Sequence, residues 1–128
     1  MKSNGYLVDT QVFIWLMQRS LRLKRDILLL LANPQVRLYL STASIWEIII
    51  KRIKNPLRVP KNIVKGAEKA GFLLLPIDLE HILKVENLPL LHKDPFDRIL
   101  ISQAKVEGLT LITSDEKIWK YKLSILKV

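Results

Sequence analysis

Cysteine is absent from this chain of 128 residues, which removes disulfides, thiolate nucleophiles and zinc sites built on sulfur. Histidine is scarce, with two separated residues, His81 and His92, so any ligand set must rest mainly on oxygen. Long apolar runs are missing as well: stretches such as Ile27 to Ala32 fall far short of the roughly 20 residues that span a bilayer. Lys2 gives the start a positive charge, but Asp9 interrupts the apolar stretch that follows, which argues against a secretory signal. The expected location is the cytoplasm, with no membrane contact. Low-complexity tracts and internal repeats are also lacking, and with 49% of residues apolar the chain reads as one domain over residues 1–128. Such a length buries roughly two-thirds of the surface its unfolded chain exposes, enough for a real core.

Negative charge is in short supply too. Twelve acidic residues stand against 21 basic ones, giving a net charge of +9 and a pI near 9.9. That excess suits a polyanionic partner, because lysine and arginine neutralise phosphates and release counterions. A solvated basic surface has the same composition. With so few acids, the placement of each one carries information.

Hydrophobic patterning divides the chain into alternating elements. Strands are expected at Tyr6–Val8, Val36–Leu40, Phe72–Leu75, Leu109–Thr113 and Leu123–Lys127. Between them, Thr10 is placed to cap a helix through about Gln18, and Ser20 precedes a second helix that Asn33 and Pro34 end. Ser44 is placed to begin a third, with Ile45, Ile49 and Ile53 as its core stripe and Lys51, Arg52 and Lys54 near its C-terminus, where cations suit the helix dipole. Further helices are expected over Pro60–Ala70, closed by Gly71, over Asp78–Val85, and from Asp94-Pro95 to Glu107, stopped by Gly108. Alternating strands and helices imply an α/β fold with a parallel sheet covered on both faces.

Asp9, Glu47, Asp97 and Asp115 each fall just beyond an expected strand or at the start of an expected helix. In open α/β sheets ligands gather outside the carboxyl ends of strands, so Asp9 and Asp115 are expected in one crevice, joined by Glu47 and Asp97 if their helices start at that edge. Asp97 begins the apolar stripe Leu100, Ile101 and Ala104, whereas Arg98 projects along a more polar side with Ser102 and Lys105. A core-facing carboxylate is costly unless a donor or metal meets it. Two carboxylates about 5 Å apart repel by roughly 3 kcal/mol at an effective dielectric of about 20, and a divalent cation relieves this. All-oxygen ligation selects Mg²⁺ or Mn²⁺ over zinc.

Structural roles compete at each position. Ser44-Ile45-Trp46-Glu47 has the form of a capping box, in which Glu47 would only bond the Ser44 backbone. Asp94 before Pro95 has the form of an N-cap. Thr10, Thr113 and Ser114 bring hydroxyls to the same edge and also suit capping. His81 and His92 suit surface roles, although a histidine pair could run metal-free RNA cleavage by general acid-base catalysis. Trp15, Trp46 and Trp119 could stack bases, yet at helical positions tryptophan more often joins a core or an interface. The wholly apolar stretch Val12 to Met17 needs cover from the core or from another chain. A phosphoacceptor receiver is disfavoured, because Asp9 has no adjacent acid and Leu75 leads into Pro76.

Four segments, Tyr6-Leu7-Val8-Asp9-Thr10, Ser41-Thr42-Ala43-Ser44-Ile45-Trp46-Glu47, His92-Lys93-Asp94-Pro95-Phe96-Asp97-Arg98 and Leu111-Ile112-Thr113-Ser114-Asp115, together resemble PIN-domain ribonucleases of the VapC toxin type. The resemblance runs in order through almost the whole chain. It implies a PIN-like fold, a five-stranded parallel sheet flanked by helices on both faces, with metal-dependent endoribonuclease activity on RNA. It also implies a homodimer and a VapB-like antitoxin whose tail blocks the acidic groove. By position Asp9, Glu47, Asp97 and Asp115 match the family's acidic set, with Asp9, Asp97 and Asp115 as Mg²⁺ or Mn²⁺ ligands. Glu47 is a further ligand or the group that activates water, and Asp94 is an extra acid for a second metal or a cap. Arg98 and Lys93, with Lys51, Arg52 and Lys54, would guide the RNA backbone. Gln11, where related toxins often carry other residues, bears on groove shape. The alternative is a non-catalytic RNA-binding or protein-binding module of the same fold.

Overall fold

The computed structural model describes residues 5–128; Lys2, part of the N-terminal reading, lies outside them. In chain order the elements are β1 (Gly5–Val8), α1 (Thr10–Met17), α2 (Arg25–Ala32), β2 (Arg37–Ser41), α3 (Thr42–Lys54), α4 (Ile63–Lys69), β3 (Phe72–Leu75), α5 (Leu79–Val85), α6 (Pro95–Glu107), β4 (Thr110–Thr113) and β5 (Ile125–Lys127), with one 3-10 turn at Ile118–Lys120. The five strands form one sheet in the order β3-β2-β1-β4-β5, and each neighbouring pair is parallel. This is the expected architecture. Every expected strand is present with its ends moved by no more than two residues.

The period of two along each strand sorts the core into two layers. Leu7 and Leu111 face one side, where Leu100, Ile101 and Ala104 of α6 pack. Val8, Leu38, Leu40 and Ile112 face the other, against Val12 and Phe13 of α1 and Ile27 and Leu31 of α2. Along α1, Val12, Phe13 and Ile14 are buried, and Trp15, Leu16 and Met17 are half-buried against the same cluster. The chain therefore covers most of this apolar helix itself.

Several helix ends differ from the sequence reading, each because another group makes the cap. Asp9, not Thr10, is the N-cap of α1, accepting from the Val12 amide. Ser41, not Ser44, caps α3, accepting from the Ala43 amide. Ser44 is instead a buried helical residue whose hydroxyl accepts a 2.8 Å hydrogen bond from Thr10. Because the Ser44 face packs toward α1, the buried isoleucine of α3 is Ile48, while Ile49 and Ile53 turn outward, Ile53 being 80% exposed. The segment after Ser20 forms a turn, with the Ser20 hydroxyl accepting from Arg22 and Arg19 at φ 54°, so α2 starts only at Arg25. Arg52 ties the carbonyls of Pro60 and Lys61 at 3.0 Å each, keeping them out of α4, which Asn62 caps.

His81 is fully buried, contrary to the surface role. It sits in a capping box with Asp78: its amide donates to the Asp78 carboxylate, its Nδ1 accepts from the Asp78 amide, and its Nε2 reaches Glu107 at 2.8 Å. The Ser102 hydroxyl donates to the His81 carbonyl, which places Ser102 in the interior rather than on a polar side. Gly108 ends α6 at φ 67°, a conformation that favours glycine.

Candidate active site

Chain order turns back on itself between β1 and β4, the topological switch point where an open parallel sheet leaves a crevice at its carboxyl edge. Val8 pairs with Ile112, so Asp9 and Thr113 leave the sheet side by side, and the Asp9 amide donates to the Ile112 carbonyl at 3.0 Å. Asp9, Thr10, Gln11, Glu47, Lys51, Asp97, Ser114 and Asp115 line one open cleft of about 320 Å³ at this edge. The four acids, far apart in sequence, are thus together.

Thr113 links two of them: its hydroxyl donates to Asp9 Oδ2 at 2.5 Å and accepts from the Asp115 amide at 3.0 Å. Thr10 lines the cleft while its hydroxyl joins α1 to α3 through Ser44. Glu47 does not close a capping box. One of its oxygens lies 3.4 Å from Lys51 Nζ, and the other, Oε1, is buried with no hydrogen-bond partner among the described residues. Asp94 caps α6, accepting from the amides of Phe96 and Asp97, and it is not among the cleft-lining residues.

Burial is the main force on the carboxyl of Asp9, pushing its pKa up from 3.8 to about 6; the Thr113 and Val12 hydrogen bonds oppose the rise, and Asp115 and Glu47 add to it. Burial likewise lifts Asp97 from 3.8 to about 7, with repulsion from Asp94, Asp9 and Glu47 adding and His92 opposing. The cleft therefore holds more negative charge than it can stabilise alone. A buried acceptor without a donor, two destabilised carboxylates and an oxygen-rich donor set fit a hard divalent cation. Asp9, Asp97 and Asp115 are the residues that would hold it, and Glu47 beside them would be a fourth ligand or the acceptor of a water proton.

His92 meets two of these acids, where the sequence reading gave it a surface role. Its Nε2 lies 2.9 Å from Asp97 Oδ2 and 2.9 Å from Asp115 Oδ2. Sequence spacing could not reveal this, because His92 comes from an irregular loop whose path is set by distant partners. Arg98 supplies that path. Its guanidinium donates to the carbonyls of Val85 and Pro89 at 3.1 Å, to those of Leu88 and His92 at 3.4 Å, and to the Tyr121 hydroxyl at 3.2 Å. With its donors so engaged, Arg98 holds the loop. Arg52 is similarly engaged with Pro60 and Lys61. Lys93 is exposed, and Lys51 stands at the cleft rim.

The tryptophans divide in the same way. Trp119 donates to the Thr113 carbonyl at 3.0 Å, bracing the end of β4, and Trp15 packs on the core under Arg22. Trp46 is 59% exposed and meets Phe96 edge-on at 5.1 Å, beside an apolar groove formed with Ile77, Ile82 and Ile99.

With the sheet order and the acidic cleft described, comparison places the chain in a class. A family model for the PIN domain matches residues 6–122, and the chain belongs to that family. Nucleases of this family are hydrolases that use divalent metals. The same fold occurs in a DNA-bound VapBC from Salmonella typhimurium, at 15% identity, 99% of this chain and 98% of that one, TM-score 0.72. It occurs also in VapBC2 from Rickettsia felis bound to a promoter DNA fragment, at 14% identity, 97% and 98% coverage, TM-score 0.71. VapBC-1 from nontypeable Haemophilus influenzae matches at 18% identity, 96% and 97% coverage, TM-score 0.62. No curated protein matches the chain by sequence. Among the described residues, no helix is long and apolar enough to cross a membrane.

Proposed function

We propose that this chain is a metal-dependent endoribonuclease, the toxin of a VapBC-type pair, acting on RNA as substrate through the cleft of Asp9, Glu47, Asp97 and Asp115. The observation that carries the reading is the convergence of these acids with an unpartnered, buried Glu47 oxygen. The ion in view is Mg²⁺ or Mn²⁺, which when bound offsets the acidic charge and polarises the scissile phosphate.

The chain's own groups carry the rest. Asp9 is fixed by Val12 and Thr113, and Asp115 by Thr113 and the Lys117 amide, so both are oriented before any ligand arrives. Glu47, held by Lys51 through one oxygen, presents the other to a water and takes its proton. The water oxygen bonds to phosphorus as the bond to the 3′ oxygen breaks, and solvent protonates the leaving oxygen. Products carry a 5′-phosphate and a 3′-hydroxyl. Lys51 at the rim, exposed Lys54 and Lys93, and the net charge of +9 favour a polyanion.

The likeness to VapBC folds supports a VapB-like antitoxin as partner and a homodimer, for which the apolar groove around Trp46 and Phe96 is the favoured contact. End analysis of cleaved, labelled RNA tests the chemistry: 5′-phosphate ends are expected, and a 2′,3′-cyclic phosphate would refute it.

A further inference from the structure

Two of the site's carboxylates are joined by a group that the four-acid scheme does not use. His92 is 10% exposed at its side chain, and its Nε2 is 2.9 Å from Oδ2 of both Asp97 and Asp115. The ring nitrogens are not equivalent. Nδ1 faces the Asp94 amide, which donates to it at 3.4 Å, and Nε2 stands 2.9 Å from two carboxylate oxygens, so this geometry calls for a proton on Nε2. Nε2–H is aligned on Asp115 Oδ2 and flanked by Asp97 Oδ2. An Nε2 that carries a proton has no lone pair for a metal.

The loop that delivers the ring is fixed from behind. The Tyr121 hydroxyl accepts from the amides of Leu91 at 3.2 Å and His92 at 3.0 Å, while Arg98 bonds the same hydroxyl and the His92 carbonyl. Both anchors lie outside the cleft lining. Among the described residues no hydrogen bond reaches Asp97 Oδ1, so gripping Oδ2 leaves the other oxygen for a ligand in the cleft.

We propose that His92 is a positioning residue: through Nε2–H it sets the spacing and orientation of Asp97 and Asp115, and so the cation affinity of the acidic cleft. This inference rests on the metal-dependent reading above. It differs from a ligand role, in which the ring would bond the ion, and from a blocking role, in which the ring would compete with it.

The experiment is titration of the purified full chain with Mn²⁺ and with Mg²⁺ by calorimetry, comparing wild type, His92→Ala and His92→Gln, with long-range proton–nitrogen NMR of the ring in metal-free protein. Expected results are an Nε2–H tautomer, a loss of about 10- to 100-fold in affinity for both ions in His92→Ala, and partial recovery in His92→Gln, whose amide can donate again. An Nδ1–H tautomer overturns the proposal. So does tighter binding by His92→Ala, affinity within threefold of wild type in a variant of wild-type thermal stability, or a loss confined to Mn²⁺, which would mark a nitrogen ligand. If His92→Ala does not fold, His92→Gln and the wild-type tautomer decide. Wild type that binds neither ion refutes the metal-dependent reading itself, whereas normal wild-type binding left unchanged by the substitutions refutes only the role of His92.

Discussion

Replacing Asp97 with asparagine should make the metal-free protein more stable while destroying its site. Lifting the Asp97 carboxyl from 3.8 to about 7 corresponds to about 4 kcal/mol of strain once the group is ionised. The side chain is 18% exposed and shares its repulsion with neighbouring acids, so about half of that, ~2 kcal/mol, is the expected gain. The sign follows from linkage: a carboxyl whose folded pKa is raised binds its proton more tightly when folded, so wild type loses stability as pH rises from about 4 through about 7. The asparagine side chain has no such dependence, and its carbonyl can still accept from His92. The assay is thermal unfolding in EDTA at pH 5 and pH 8. The variant should melt about 8 °C higher at pH 8, with less than half that gain at pH 5, and millimolar Mg²⁺ or Mn²⁺ should raise wild type selectively. A variant no more stable than wild type at pH 8, or a gain independent of pH, would refute the claim that the cleft is electrostatically strained.

Arg98→Ala removes the donors that hold the loop before α6 and should cost about 2–3 kcal/mol by denaturant unfolding, while the salt dependence of RNA binding stays as in wild type. A weaker salt dependence would restore Arg98 as a backbone contact. Thr113→Val deletes the hydroxyl between Asp9 and Asp115, raising the Asp9 pKa further and lowering cation affinity; calorimetric titration with Mn²⁺ measures the loss. Gly108→Ala at φ 67° should cost about 1 kcal/mol in urea melts with cleavage unchanged, since only backbone strain is added.

The fold was legible because short continuous apolar runs such as Phe72–Leu75 and the Asp94-Pro95 start of α6 carry local signals that tertiary packing did not override. The acids were legible for a related reason: Asp9 and Asp115 follow strands, and parallel topology brings strand ends together. Ser44 misled, since a serine three residues before a glutamate mimics a cap, whereas Ser41 takes that place and Ser44 meets Thr10 through a contact 34 residues distant. His92 and Arg98 were opaque because their roles depend on Tyr121 and on a loop path that no local pattern encodes. Polar side chains buried by long-range partners are where reading by periodicity fails.

Cleavage of total cellular RNA by antitoxin-free protein tests the central claim most directly, with Mg²⁺ or Mn²⁺ set against EDTA and wild type against Asp97→Asn. The account predicts discrete fragments that require the metal and vanish in the variant. Fragments that persist in EDTA or in Asp97→Asn, or no cleavage by folded wild type that binds the ion, would contradict it and leave a binding module built on a nuclease fold.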